Sequence, residues 1–421
     1  MASRGIAEPR TVAAGHGLTA PGRPFSALRH RDFRVLLFST MALQVGSWVQ
    51  TIGQGWLVLH DLGGSATDLG LVALLRGGAL LIVSPVGGYL AGRIERRRQL
   101  LIYTSGSVVI ATLLAVLITT GSIEIWMVYL TAMAAGIVEA LAGPIRSLLV
   151  YDSVGGEDLT AAVALNALGG NAMRVIGPAI GGALIGLVGT QGAFEVQAVA
   201  IALSLVLTWM LRPNYPDPSE AQPGILKSVG GGLSYVAHDR RMLVIVGMAV
   251  LPSVLVYPYV TFLPVFARDV LGSDESGYGY LAAAVGLGSL LGGTIVAFTA
   301  GRSRMGSPMM WTCFLYASAV GAFTLMRDLW LAVAVLAVAG VFHSMYSAYN
   351  SSLMQLQAEP EYRSRVLSLQ TMTWGMTPFA ALLMGKMIDT WGAPQVVGAW
   401  MVAAAGLTLA VAAGSREVRR I

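Results

Sequence analysis

The chain has 421 residues, of which 55% are hydrophobic and only 12% charged, and its mean hydropathy is +0.68. Soluble domains carry about 25% charged residues, so this composition excludes an ordinary soluble protein. The net charge of +5 rests on 27 basic residues, all arginine except Lys227 and Lys386, and their positions read as a membrane-topology signal rather than a nucleic-acid surface. The single cysteine, Cys313, excludes an internal disulfide and a cysteine metal cluster.

Residues 1–24 are rich in Gly, Pro, Ala and Arg and end in Pro21-Gly22-Arg23-Pro24. They lack the apolar centre of a signal peptide and are expected to form a disordered cytoplasmic tail. Twelve apolar runs follow, with cores near 34–58, 68–91, 99–120, 125–149, 162–188 and 193–211, then 242–267, 277–300, 308–325, 330–354, 366–388 and 394–413. A helix needs about 20 residues to cross a bilayer, and runs of this length exclude the alternating pattern of a membrane barrel. The expected fold is an all-α integral membrane protein of twelve transmembrane helices in two pseudo-symmetric six-helix halves, 25–212 and 241–415. The segment 213–240 joins them as a cytoplasmic linker. It holds Pro213, Pro216, Pro218 and Pro223 and a short helical pattern around Leu226–His238. Residues 416–421 form a second tail.

Arginines mark alternate loops: Arg29, Arg31 and Arg34; Arg93, Arg96, Arg97 and Arg98; Arg240 and Arg241; Arg302 and Arg304; Arg363 and Arg365; Arg416, Arg419 and Arg420. The opposite side carries Asp61, Asp68, Glu124, Asp274, Glu275 and Asp328. By the positive-inside rule both termini are expected in the cytoplasm.

The halves repeat one another. Trp126, Gly136 and Glu139 recur as Trp330, Gly340 and His343, each 204 residues later, and Gly87-Gly88 recurs as Gly292-Gly293. Pro178 and Gly192 recur as Pro378 and Gly392, 200 residues on. Parallel repeats of this kind place substrate sites near the midplane between them. Each copy also carries a titratable group deep in an apolar span, Glu139 and His343. Such groups are costly in lipid and point to function.

The run from Gly88 through Arg93, Glu95, Arg96 and Arg97 resembles the major facilitator signature G-x-L-A-D-R-x-G-R-R. The fifth-span run holding Asn171, Arg174, Gly177, Pro178, Gly181 and Gly182 resembles the G-P-x-x-G-G antiporter motif. More narrowly, Trp56-Leu-Val-Leu, Gly64-Ser-Ala and the stretch Leu263 to Gly272 are similar to the exporter branch that includes enterobactin and macrolide efflux proteins. The resemblance covers about residues 25–414. It implies the twelve-helix major facilitator fold, alternating access and a cytoplasmic gate at Gly88, Arg93, Glu95, Arg96 and Arg97. The chain departs from the signature at Gly92, where the family has aspartate, and Glu95 is the candidate replacement. It departs from the antiporter motif at Met173.

At 1.5 Å rise per residue, Glu139 lies roughly 15 Å and Arg174 roughly 20 Å from the cytoplasmic ends of consecutive antiparallel spans. They are candidates for one ion pair, with two readings: a structural pair, or a proton or substrate carboxylate tuned by the arginine. His343 has the polar neighbours Ser344, Tyr346, Ser347 and Asn350 and is either a proton carrier or a packing histidine. Arg76 is an attractor for anionic substrate, an outer gate or a structural donor. Gln44 and Trp48, with Thr51, are read as sharing a face toward the cavity. Tyr257, Gln370 and Trp374 offer contacts from the second half. Gly177-Pro178 and Gly181-Gly182 form a flexible joint in either reading.

No Gly-Lys-Ser phosphate loop supports ATP-driven transport, and no catalytic array or metal cluster stands out, so neither an enzyme nor a bound cofactor is expected. The expectation is a secondary carrier in a bacterial inner membrane that exports small drug- or siderophore-like molecules in exchange for protons. Its partners are the substrate, protons and the lipid bilayer, without nucleic acid, and it is expected to act as a monomer. A proton-coupled importer and a non-transporting membrane scaffold are the alternatives.

Overall fold

The structure is a computed structural model that describes residues 25–90, 95–212, 236, 239–298, 305–359, 363–415 and 418. Regular structure among these residues is helical throughout. After a 3-10 turn at Ser26–Arg29, the chain forms α1 (Arg31–Trp56), α2 (Ala66–Leu90), α3 (Arg96–Thr119) and a helical run, α4 (Ile125–Trp209). The second half comprises α5 (Arg240–Leu255), α6 (Glu275–Phe298), α7 (Gly306–Phe323), α8 (Leu329–Gln357), α9 (Arg363–Trp391) and α10 (Ala393–Gly414). Among the described residues, nine helical segments are long and apolar enough to cross a bilayer.

A straight helix of 85 residues would be about 130 Å long, several bilayers thick, so α4 must double back. Its neighbours show where. Gly136 packs on Arg76 and Gly87 on Ala140, so this part of α4 runs parallel to α2. Gly177 meets Trp48 and Gly181 meets Ile52, so the next part runs parallel to α1. Phe194 lies against Gly53 and Ile201 against Gly46, in the reverse direction. The second reversal falls at Gly189, whose φ of 73° is readily available only to glycine. Helical geometry thus persists where the hydropathy pattern expected loops near 150–161 and 189–192.

The span expected over 242–267 also changes character. It is α-helical to Leu255, 3-10 over Tyr257–Phe262, makes one α-turn at Leu263–Val265 and is π-helical over Phe266–Val270. Pro252, Pro258 and Pro264 each remove a backbone donor, which breaks the regular ladder at those points. The short helix expected around Leu226–His238 lies outside the described residues, apart from Val236.

The pseudo-symmetry is visible in the packing. Gly136 sits on the backbone of α2 at Arg76, and Gly340 sits on the backbone of α6 at Val285. In both places a β-carbon would meet a carbonyl oxygen, so glycine is what lets the helices close to backbone contact. The first span of each half ends alike, in a π-helical turn (Leu57–Asp61, Phe266–Val270) followed by a glycine of positive φ, Gly63 and Gly272. The halves meet through the same exchanged pairing: α2 against α9, where Gly70 touches Leu382 and Gly77 touches Pro378, and α4 against α6, where Gly182 touches Gly279.

One apolar core spans both halves, with smaller clusters within each, while residues such as Ile82, Leu187, Phe298 and Val402 point outward. An apolar exterior suits a lipid solvent. Trp126, Trp209, Trp330 and Trp391, at helix ends, are exposed in the manner of interfacial anchors.

Candidate functional site

α1 presents Gln44, Ser47 and Gln50 toward an internal cavity of about 210 Å³ in the first half. α2 contributes Arg76, α3 contributes Thr104, and α4 contributes Glu139, Arg146 and Gln197. Glu139 and Arg146 are seven residues apart and so lie on one face of α4, two turns from each other.

Arg76 is the ion-pair partner of Glu139. Its Nη2 donates to Glu139 Oε2 at 3.1 Å and its Nε to the same oxygen at 3.4 Å. Nη2 also donates to Ser47 Oγ at 3.0 Å, and Nη1 to Thr51 Oγ1 at 3.3 Å. The contact of Gly136 with the α2 backbone sets this geometry, because it brings the two helices together one turn before Glu139. The Glu139 side chain is 52% exposed and Arg76 23%, so the carboxylate is open to the cavity while the guanidinium is mostly enclosed. The pairing of Glu139 with Arg174 expected from span depth falls on a side chain outside the described residues.

His343, the counterpart of Glu139, is set differently. Its ring packs against Tyr257 at a centroid distance of 5.5 Å and against Tyr316 at 5.0 Å. The space beside it is only about 20 Å³, room for one water at most. Glu139 and His343 therefore face separate spaces, one charged and open, the other aromatic and nearly filled.

The remaining sequence candidates divide. Gln44 lines the cavity, whereas the Trp48 indole turns to α4 and packs on Gly177. The cavity face of α1 thus runs through Gln44, Ser47 and Gln50, with Thr51 reaching Arg76 at its edge and Trp48 outside the lining. Gly181 and Gly182 fill packing positions against Ile52 and Gly279. Arg93 lies outside the described residues, as do the side-chain environments of Gly88, Arg174, Pro178, Gln370 and Trp374. Glu95 precedes α3 without a side-chain capping bond, and the acid that meets Arg96 is Asp152. Arg96 Nη1 donates to both Asp152 oxygens, at 2.7 and 2.6 Å, and the side chains are 10% and 2% exposed. Arg97 Nη2 donates to the Trp209 carbonyl at 2.8 Å.

Sequence reading missed three residues. Arg146 is a charge inside an apolar span, and its seven-residue spacing from Glu139 was the available signal. Asp152 was hidden at a span end. Asp389 of α9 accepts from the N-terminus of α2: Ala66 N at 2.8 Å, Thr67 N at 2.9 Å and Thr67 Oγ1 at 2.5 Å. It thereby joins the halves at the end opposite the arginine-rich loops, satisfying donors that a helix start leaves free. Arg268 Nη1 adds a bond from the second half to the Leu59 carbonyl at that same end.

A family model described as "Transmembrane secretion effector" matches residues 22–419. The staphyloferrin A transporter of Staphylococcus aureus is 25% identical over 84% of this chain and 89% of its own length. The enterobactin exporter of Shigella flexneri is 28% identical over 73% of each chain. Among solved structures, that of the nucleoside transporter NupG superposes with a TM-score of 0.73 at 16% identity, covering 91% of this chain and 98% of that one.

Proposed function

The chain belongs to the transmembrane secretion effector family of major facilitator transporters, a multi-pass membrane carrier rather than an enzyme, and from that premise we propose that it exports small organic molecules in exchange for protons. The molecules are drug- or siderophore-like, and two relatives whose names specify siderophores support that class. The carrier has twelve spans, the two halves and the tails set out above, and both termini in the cytoplasm, an orientation supported by the arginine-bearing loops.

One observation carries the reading: a carboxylate within a membrane span, paired to an enclosed arginine yet 52% exposed to a cavity. In lipid surroundings such a group is retained for function. The ionised carboxylate holds Arg76 and thus α2 to α4. Protonation removes half of that ion pair and frees Arg76 for its hydroxyl partners. α2 also makes the close contacts with α9, so a change at Glu139 acts on the helix through which the halves meet. Rocking of the halves then exposes the cavity to alternate sides.

The test is reconstitution of the full chain in vesicles with an imposed pH gradient and a panel of siderophores, macrolides and lipophilic cations. Gradient-dependent flux of at least one probe, collapsing with a protonophore, is expected. Its absence for the whole panel would overturn the proposal, and accumulation under the opposite gradient would reverse its direction.

A further inference from the structure

Arg146 has no carboxylate partner among the described residues. Its Nη1 reaches Thr40 Oγ1 at 3.3 Å and its Nη2 reaches Thr104 Oγ1 at 3.4 Å, both long, while Nε is enclosed without a partner. Two glutamines on the same cavity are in a similar condition. Gln197 is 1% exposed with neither amide atom bonded, and Gln50 is 5% exposed with its Nε2 unbonded. An arginine and two amides left in this state inside a membrane bundle are costly unless something occupies them.

The charge balance indicates what fits. Arg76 is neutralised by Glu139, which among the described residues leaves Arg146 as the one uncompensated charge on the cavity wall. A monoanion balances it, whereas a dianion would leave excess negative charge in a low-dielectric site. The planar guanidinium fork, with the Thr40 and Thr104 hydroxyls beside it, matches a planar carboxylate. A volume of about 210 Å³ is too small for a whole drug-sized molecule, which takes at least about 300 Å³, but it accommodates one carboxylate-bearing arm. We propose that this cavity is a subsite for a carboxylate group of the transported molecule, held by Arg146 between Thr40 and Thr104, with the Gln197 and Gln50 amides further along the wall for the rest of the carboxylate-bearing arm, so that the substrates are carboxylic acids. This rests on the carrier reading given above.

Calorimetry on the purified full chain tests it with benzoate, its uncharged isostere benzamide, and inorganic sulfate. Wild type should bind benzoate saturably, one per chain, with benzamide and sulfate each weaker by about tenfold or more. Arg146→Lys keeps the charge without the fork and should weaken benzoate by about tenfold, and Arg146→Gln should abolish its binding. Thr104→Val leaves the arginine in place, so it reports even if Arg146→Gln does not fold, and it should weaken benzoate by about threefold. Equal binding of benzamide or of sulfate, unchanged affinity in the variants, or no benzoate binding would overturn the subsite. Flux of a macrolide in vesicles separates the two claims. Macrolide flux without benzoate binding removes the subsite and leaves the carrier, whereas benzoate binding without gradient-driven flux of any probe removes the carrier and leaves the site.

Discussion

Glu139→Gln removes a charge while keeping the side chain's shape and hydrogen-bonding capacity, and the structure sets how much stability that should cost. Exposed ion pairs contribute about 0–1 kcal/mol, whereas stranding a buried charge costs about 3–5 kcal/mol. Glu139 is 52% exposed, and Arg76 retains Ser47 and Thr51 as acceptors. The expected loss is therefore about 1 kcal/mol. Asp152→Asn supplies the contrast, because that carboxylate and Arg96 are only 2% and 10% exposed, and the expected loss is about 3–5 kcal/mol. Thermal denaturation and proton-driven flux are to be measured on the same preparations. Glu139→Gln should be nearly as stable as wild type and lose gradient-driven flux while retaining substrate binding. Normal flux in a stable Glu139→Gln would refute the proton assignment. A destabilisation equal to that of Asp152→Asn would make Glu139 a structural partner of Arg76.

Other expectations follow from the junctions. Asp389→Ala removes three bonds that join α9 to the start of α2, so a cysteine at Leu382, facing Gly70, should react faster with an impermeant maleimide once Cys313 is replaced; an unchanged rate would mean that Asp389 does not hold the halves together. Gly182→Val places a side chain against the Gly279 backbone and should stop transport without loss of membrane insertion, an outcome read from flux and from yield in the membrane fraction. Asp158 lies in the connection after the first part of α4, and its carboxyl is held below the usual range by hydrogen bonds from Ser26 first and His30 second. A depressed carboxyl pKa contributes stability above the unfolded value near 4 and loses it as pH falls below that. Hydrogen-exchange protection of residues 26–30 should thus decline as pH drops below about 4, and should already be low at neutral pH in Asp158→Asn.

Much of the architecture was legible because lipid imposes simple rules. Apolar runs gave the helices, and the offset shared by Gly136 and Gly340 predicted what became equivalent backbone contacts with α2 and α6. The partners in the site were not legible. Arg76 and Glu139 are far apart in sequence, and which arginine faces a carboxylate depends on the rotation of helices that hydropathy leaves open. The placement of Trp48 was likewise not legible: two faces of α1 pass close to Gln44 by spacing alone, and the indole lies on the one that packs against Gly177. Asp389 was invisible because its role is to cap a helix from the opposite half.

The two halves share a fold but have diverged where it bears on the mechanism. At the contact of Gly136, α2 brings Arg76 to Glu139; at the equivalent contact of Gly340, α6 brings Val285, and His343 is packed by Tyr257 and Tyr316 instead. A charge that moves needs water to reach it, and the cavity at the Arg76–Glu139 pair is about 210 Å³ against about 20 Å³ beside His343. Coupling should therefore rest in the first half, with the second serving as the packed body against which it rocks. His343→Phe keeps an aromatic ring between the two tyrosines and removes the titratable nitrogens. Proton-driven flux in that variant should stay close to the wild-type rate with an unshifted pH profile. Loss of flux in a His343→Phe protein of normal stability would instead place the coupled proton in the second half and reduce the Arg76–Glu139 pair to a hinge.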